Sequence, residues 1–204
     1  MSPARRREPQ QDRSRRMVER IVAAAEEVVA ERGYDGTSTN RVATRAGISP
    51  GSLYQYFPGK DALITEVLDR YVDALEARIS AAFPWRLGPD LSPASIRGVV
   101  SELVDVLAER PALLRVLSER LPRTAGHRRF AFARRIDELT TTALRFRTGP
   151  GSDVPVETVG WVVVRAVEHV AISYVLEAPS LDRDVVVDEL SRLVSGYLAA
   201  HVPS

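Results

Sequence analysis

The chain repeats apolar residues at helical spacing, and no alternating strand pattern persists along its 204 residues. Between Val18 and Val29 the apolar positions recur three and four residues apart, which places them on one helix face. Similar stripes follow, separated by the Pro and Gly residues that end helices. The spacing therefore predicts an all-α fold of about nine helices. Beyond residue 92, the predicted helices are 93–109, 111–121, 126–147, 155–178 and 182–201.

Composition narrows the class of protein. The chain is 45% hydrophobic and 27% charged, which is ordinary for a soluble globular protein. It has no cysteine, so disulfides, thiolate metal sites and cysteine nucleophiles are excluded. Apolar runs such as 161–164 are shorter than the roughly 18 residues that span a bilayer, and no apolar segment follows the N-terminal arginines. We therefore expect a cytoplasmic protein.

Positive charge is concentrated near the N-terminus. Residues 1–60 carry 11 Lys and Arg against 7 Asp and Glu, whereas residues 61–204 carry 17 against 20. This asymmetry favours a polyanionic partner at the basic end. We expect residues 1–14 to form a basic arm without fixed structure, which either enters a minor groove or raises non-specific affinity for DNA.

Two short helices are predicted next to each other, at 39–46 and 50–56. We expect Thr39 to cap the first and Ser49-Pro50 to begin the second, because proline tolerates the first helical position. Gly47 suits a left-handed turn between them. This is the spacing of a helix-turn-helix motif, in which the second helix enters the major groove.

The second helix of this pair has an inward and an outward face. Leu53 and Phe57 are four residues apart and share the inward face. Ser52, Gln55 and Tyr56 lie on another face, where they can bond base edges or phosphates. A small helical hairpin whose tyrosines only pack would show the same spacing.

Two further residues favour an anionic partner. Gly51 lets the backbone approach a partner closely. Lys60, the one lysine of the chain, stands at the start of the next helix, where backbone N–H groups already favour an anion. Together these features match the surface of duplex DNA.

The segment 37–68 resembles the DNA-binding domain of TetR-family transcriptional regulators. It carries the order Ala-x-x-Ala-Gly-Ile-Ser-x-Gly-x-Leu-Tyr-x-Tyr-Phe-x-x-Lys-x-x-Leu, and the apolar helix 17–32 before it also matches. The resemblance covers about residues 15–68. It implies a helix-turn-helix domain over 15–62 and a C-terminal effector-binding and dimerisation domain over 63–204.

The resemblance implies DNA contacts at ten positions. Tyr54, Tyr56 and Lys60 would grip the backbone, and Gln55 would face the bases. Many relatives carry a larger polar residue where Pro50 stands, so we expect less base readout there. The ten positions are Thr39, Asn40, Arg45, Pro50, Gly51, Ser52, Tyr54, Gln55, Tyr56 and Lys60. Of these, Arg45 could equally be a solvated surface residue.

The last two predicted helices, 155–178 and 182–201, are apolar over most of their circumference. Such helices must be buried on several sides, which fits either a dimer interface with a core or the core of a monomer. The resemblance implies a homodimer through these helices. Two-fold pairing would also supply a second half-site, since one short helix contacts few base pairs.

The resemblance also implies a pocket for a small-molecule effector, whose identity the sequence does not give. Aromatic residues could line it, and polar residues that interrupt an apolar helix could orient a ligand. A buried or interfacial hydrogen-bonded cluster, or solvent-facing positions, would explain the polar residues equally well. The candidates are Phe83, Trp85, Phe130, Phe132, Trp161, Arg165, Glu168, His169 and Tyr174.

These features predict a ligand-responsive transcriptional regulator. In its simplest form it is a repressor that binds a palindromic operator as a homodimer and is released by an effector. The same motifs would suit a regulator controlled by a protein partner. An all-α enzyme is disfavoured, because the three histidines show no metal-ligand spacing and no catalytic or cofactor motif is present. We expect no metal or cofactor.

Overall fold

The computed structural model describes residues 7–82, 91–120, 127–177 and 180–201, and this part of the chain forms nine helices. The all-α prediction is confirmed. The helices are α1 Arg7–Gly36, α2 Thr39–Arg45, α3 Pro50–Tyr54, α4 Lys60–Ala82, α5 Pro93–Ala108, α6 Pro111–Arg120, α7 His127–Thr148, α8 Val156–Glu177 and α9 Arg183–His201.

The first helix differs from the prediction at its beginning. We expected residues 1–14 to lack fixed structure, but α1 begins at Arg7. Its far end follows the prediction, because Gly33 leaves the helical conformation at φ 66° and ψ −176°. The Thr37 hydroxyl donates to the Gly33 carbonyl at 2.7 Å and closes this bend.

The turn between α2 and α3 is a Schellman motif. The Gly47 N–H donates to the Thr44 carbonyl and the Ile48 N–H to the Ala43 carbonyl, at 3.1 and 3.0 Å. Gly47 has φ 64°, the left-handed conformation that the sequence predicts. One expectation is wrong: Ser38 caps α2, and Thr39 is its first helical residue. Ser38 precedes α2 in extended conformation, so its hydroxyl reaches the Arg41 N–H.

Helices α5 to α9 form the second half of the molecule. Within it, α5 packs against α8 and α9, and it also contacts α4. The long α4 joins the two halves, because it packs against α1 near the helix-turn-helix and against α5 and α7 further along.

By length and composition alone, α8 could cross a membrane, although its longest uninterrupted apolar runs are short. Its inner side packs on α5 and α7, with Val159 and Ala171 buried.

Candidate functional site

The short helix α3 is held on the molecule by apolar residues. Leu53 is fully buried and Phe57, just beyond the helix, is nearly so. Both belong to the same core as Val42 and Ala43 of α2. Ser49 begins the helix by accepting the Ser52 N–H at 3.1 Å. The position and orientation of α3 are therefore fixed by packing and capping, independently of any partner.

The opposite side of α3 faces solvent. Pro50 and Gly51 are exposed, and Tyr54 is 52% exposed. The Tyr54 side chain is therefore available to a partner. The helix is shorter than the predicted 50–56, because it ends at Tyr54 and the exposed Gln55 is its C-cap. Tyr56 differs, because it is half-buried and packs against the core.

Hydrogen bonds order three of the predicted contact residues. The Tyr54 and Thr39 hydroxyls are 3.1 Å apart, so the first residue of α2 is tied to the last residue of α3. The Ser52 and Ser49 hydroxyls are 2.8 Å apart. Both pairs lie at the surface, and each hydroxyl retains capacity for a bond to phosphate or a base edge.

Lys60 is positioned by an aromatic ring. Its Nζ lies 3.9 Å from the centre of the Tyr34 ring, a cation–π contact. The Tyr34 hydroxyl donates to Asp61 Oδ1 at 2.6 Å, which fixes the ring. The ammonium group is thus held at the first residue of α4, six residues beyond the end of α3.

Arg45 is occupied by an intramolecular network. Its guanidinium donates to Glu27 at 2.8 Å and to Glu31 at 2.7 Å, which joins α2 to α1. The hydrogen bond from Arg45 lowers the pKa of the Glu31 carboxyl below its usual value. Arg45 would contact phosphate only by sharing or exchanging these two carboxylate partners. Asn40, on the same helix, is exposed.

A second candidate site is a cavity of about 380 Å³ inside the second half of the molecule. This volume lies in the range of small-ligand sites, roughly 300–1,000 Å³. All six helices from α4 to α9 contribute to the wall, which is mainly aliphatic. Among the lining residues are Val72, Leu75, Ile79, Ile96, Val100, Leu107, Leu114, Leu117, Leu144, Val163 and Val194.

Two of the predicted pocket residues, Arg165 and Glu168, line this cavity. The others are placed differently. Trp161 is 58% exposed, His169 is exposed, and the Tyr174 hydroxyl donates to the Leu181 carbonyl instead. Phe83, Trp85 and the side chains of Phe130 and Phe132 lie outside the described part of the chain.

Sequence reasoning missed the aliphatic wall. The sequence predicted aromatic lining residues, whereas the described wall contains only one, Phe146. The residues of α5 show a clear inward stripe, but inward stripes also describe a filled core.

Within the described ranges, no group of three His, Cys, Asp or Glu residues could hold a metal ion.

Two family models match the chain. Residues 21–67 match the model for bacterial regulatory proteins of the tetR family, and residues 93–198 match the tetracyclin repressor-like C-terminal domain. The first contains the helix-turn-helix and the second contains most of the cavity wall.

Curated relatives match only part of the chain. The chain is 40% identical over 62 residues to the transcriptional activator FasR of Mycolicibacterium smegmatis, covering 30% of this chain and 28% of FasR. It is 32% identical over 103 residues to the transcriptional repressor DrrR1 of Streptomyces coeruleorubidus, covering 50% and 36%. The chain thus spans well under half the length of these two relatives.

Solved structures share the whole fold. The fatty acid degradation regulator FadR of Bacillus halodurans superposes with a TM-score of 0.67 at 18% identity, over 88% of this chain and 95% of that one. A TetR-like transcriptional regulator from Rhodococcus sp. RHA1 superposes with a TM-score of 0.66 at 25% identity, over 90% and 96%.

Proposed function

Because the chain belongs to the TetR family of DNA-binding transcriptional regulators, we propose that it binds a palindromic operator as a homodimer and is released by a small-molecule effector. On this proposal it is a repressor, located in the cytoplasm with its DNA, and it is not an enzyme. The observation that carries the proposal is the pairing of an anchored, exposed α3 with an apolar cavity in one molecule.

The exposed side of α3 supports major-groove binding. Gln55 offers an amide that can bond a base edge, and Tyr54 and Lys60 flank it with a hydroxyl and a cation that suit phosphates. Because Leu53 and Phe57 anchor the helix, these groups are presented without a large ordering cost.

The outer faces of α8 and α9 support homodimerisation. Seven large hydrophobic residues are prominently exposed in the described part of the chain, and five of them lie between residues 161 and 193. They are Trp161, Val170, Leu181, Val185 and Leu193. Large apolar side chains exposed along two successive helices favour an interface with another protein, and a second copy of the chain is the partner we propose.

Two helices connect the cavity to the DNA-binding half. The 23 residues of α4 make a rod of about 34 Å that begins at Lys60 and carries Val72, Leu75 and Ile79 into the cavity wall. Helix α6 contributes Leu114 to the same wall and packs against α1. A ligand that binds better to one arrangement of α4 and α6 shifts the population towards that arrangement. The shift changes the spacing between the two α3 helices of the homodimer.

The cavity favours a small-molecule effector over a controlling protein partner, because lining side chains such as Val100, Leu107 and Leu114 are buried between helices. Stearoyl-CoA is bound in the solved structure of Bacillus subtilis FadR, which has this fold at 17% identity. A ligand with a long apolar part is accordingly the first class to test.

Selection of bound fragments from genomic DNA tests the proposed function. We expect enrichment of a palindrome, and a Gln55→Ala variant should enrich an altered sequence, because Gln55 faces the bases. An Ala94→Gln variant, at an exposed position of α5, should select the unaltered palindrome. Enrichment of no sequence by the wild-type protein would contradict operator binding.

A further inference from the structure

The link between α1 and α2, residues 34–39, touches both of the groups that we assign to phosphates. At one end the Lys60 ammonium lies over the ring of Tyr34, and at the other the Tyr54 hydroxyl lies 3.1 Å from that of Thr39. The five Cα–Cα steps of the link span at most about 18 Å. A side chain bound to the middle of the link therefore lies close to both groups.

Arg41 of α2 is bound to the middle of this link. Its Nη1 donates to the Gly36 carbonyl at 2.6 Å, which is the one hydrogen bond of this side chain within the described ranges. Gly36 is the last residue of α1, and the carbonyl end of a helix favours a cation. Arg41 is exposed, so its remaining N–H donors are available to a partner. The guanidinium is thus oriented without losing its charge to an acidic neighbour.

Arg45, the other arginine of α2, has different electrostatic surroundings. It donates to Glu27 and Glu31 of α1, so one positive group faces two negative ones. A phosphate that approached Arg45 would meet both carboxylates as well as the guanidinium, and like charges repel. Arg41 shares its guanidinium with a neutral carbonyl alone. Of the two arginines, Arg41 is therefore the one whose surroundings favour an anion.

We propose that Arg41 binds a backbone phosphate of the DNA, between the phosphate contacts of Tyr54 and Lys60, and that Arg45 does not. The inference rests on the DNA-binding surface of the proposed function. A planar guanidinium suits this role, because it can donate two parallel hydrogen bonds to one phosphate. The sequence singled out Arg45 instead, since the chain order does not show which arginine meets carboxylates in the fold.

The salt dependence of DNA binding tests this assignment on the purified full-length protein. Arg41→Gln should reduce the slope of log affinity against log salt by about one per subunit, because one phosphate contact is lost. Arg45→Gln removes the same charge from the same helix and should leave the slope almost unchanged. Fluorescence anisotropy of one labelled duplex at several salt concentrations measures both. An unchanged slope in Arg41→Gln, or an equal loss of slope in Arg45→Gln, would overturn the proposal.

A purely structural role of Arg41 has a different signature. If this residue only caps α1, Arg41→Gln lowers the affinity by the same factor at every salt concentration, and the slope stays that of the wild type. Arg41→Lys keeps the positive charge, so its slope should match the wild type even if the loss of the planar guanidinium weakens binding. A slope that falls as far in Arg41→Lys as in Arg41→Gln would contradict a contact made through charge.

The outcome does not depend on finding an operator. Phosphate contacts carry no sequence information, so a duplex of arbitrary sequence at low salt also serves. If fragment selection enriches no palindrome but Arg41→Gln lowers the slope on this duplex, operator binding fails and the Arg41 contact holds. If a palindrome is enriched and Arg41→Gln keeps the wild-type slope on it, operator binding holds and the Arg41 contact fails.

Discussion

Tyr71 of α4 is an aromatic residue with an unsatisfied hydroxyl in the core. Its side chain is 2% exposed, and its hydroxyl has no hydrogen-bond partner within the described ranges. Burial raises the pKa of this hydroxyl to about 12, although the nearby Arg110 partly opposes the shift. Burying an unpaired hydroxyl is costly, and replacing it by an apolar group removes that cost.

We predict that Tyr71→Phe leaves the protein at least as stable at pH 7, with a gain of up to about 1 kcal/mol in the free energy of unfolding. The wild-type protein should lose stability as pH rises from about 10 through 12, because the unfolded tyrosine ionises before the folded one. The variant lacks this loss, so its advantage should grow with pH. Urea denaturation between pH 7 and pH 11 measures both effects, and an advantage that shrinks above pH 10 would contradict the assignment.

Lys60 gives a second prediction for a single residue. Lys60→Ala should weaken binding to all DNA sequences about equally and reduce the slope of log affinity against log salt by about one per subunit, because one phosphate contact is lost. Fluorescence anisotropy at several salt concentrations measures the slope. Arg134→Ala removes one charge from the exposed side of α7 and should leave the slope unchanged. A sequence-selective effect of Lys60→Ala would show that this residue reads bases.

The residue scale is also where sequence reasoning about the cavity failed. An inward stripe shows which residues of a helix avoid water, and Ile96, Val100 and Leu107 follow that pattern. Whether the inward faces of six helices meet or leave a gap depends on the summed volumes of their side chains and on the relative positions of the helices. No single segment determines either quantity. Arg165 and Glu168 could be picked out because charge in an apolar helix is visible locally.

At the scale of elements, the agreement between sequence and structure follows the strength of local signals. The helices from α5 to α9 have ends within one or two residues of the prediction, because Pro and Gly interrupt the backbone between them. The turn at Gly47 was also predictable, since only its conformation closes so short a connection. The beginning of α1 was missed because polar residues with many arginines can be either helical or unstructured.

Gly47 and Gly98 provide a matched pair for testing the turn. A Cβ at either position would meet no atom within 4 Å, so backbone conformation alone decides the effect of alanine. Gly47→Ala should lower the free energy of unfolding by about 1–2 kcal/mol, because Gly47 has φ 64°. Gly98→Ala, within α5, should raise it by about 0.5–1 kcal/mol. Denaturation curves that move in the same direction for both variants would contradict this reading.

At the scale of the whole molecule, the unusual feature is the apolar outer surface of α8 and α9. The inner side of α9 packs within the chain, where Val187, Leu190 and Val194 are buried. Leu193 lies between them in sequence yet is 58% exposed. Two apolar faces on one helix indicate two separate partners, one within the chain and one outside it.

Replacing Leu193 by Glu should therefore convert a dimer into a monomer. A charge in the centre of an apolar interface has no compensating partner, and two-fold symmetry places it there twice. Sedimentation velocity should show the mass fall by half, and operator affinity should fall with it. Ala94→Glu adds the same charge near the exposed start of α5 and should remain dimeric. A monomeric wild-type protein would remove the proposed two-fold site.

The contact between Lys60 and Tyr34 has a practical consequence. Since the chain has one lysine side chain, amine-directed acylation marks a single internal position, Lys60, which lies over the Tyr34 ring and belongs to the surface we assign to DNA. DNA bound at this surface should shield Lys60 from the reagent. The unacylated fraction in the intact mass, corrected for the terminal amine, thus gives the fraction of protein bound to DNA, without a fluorophore, an engineered tag or knowledge of the sequence that is bound.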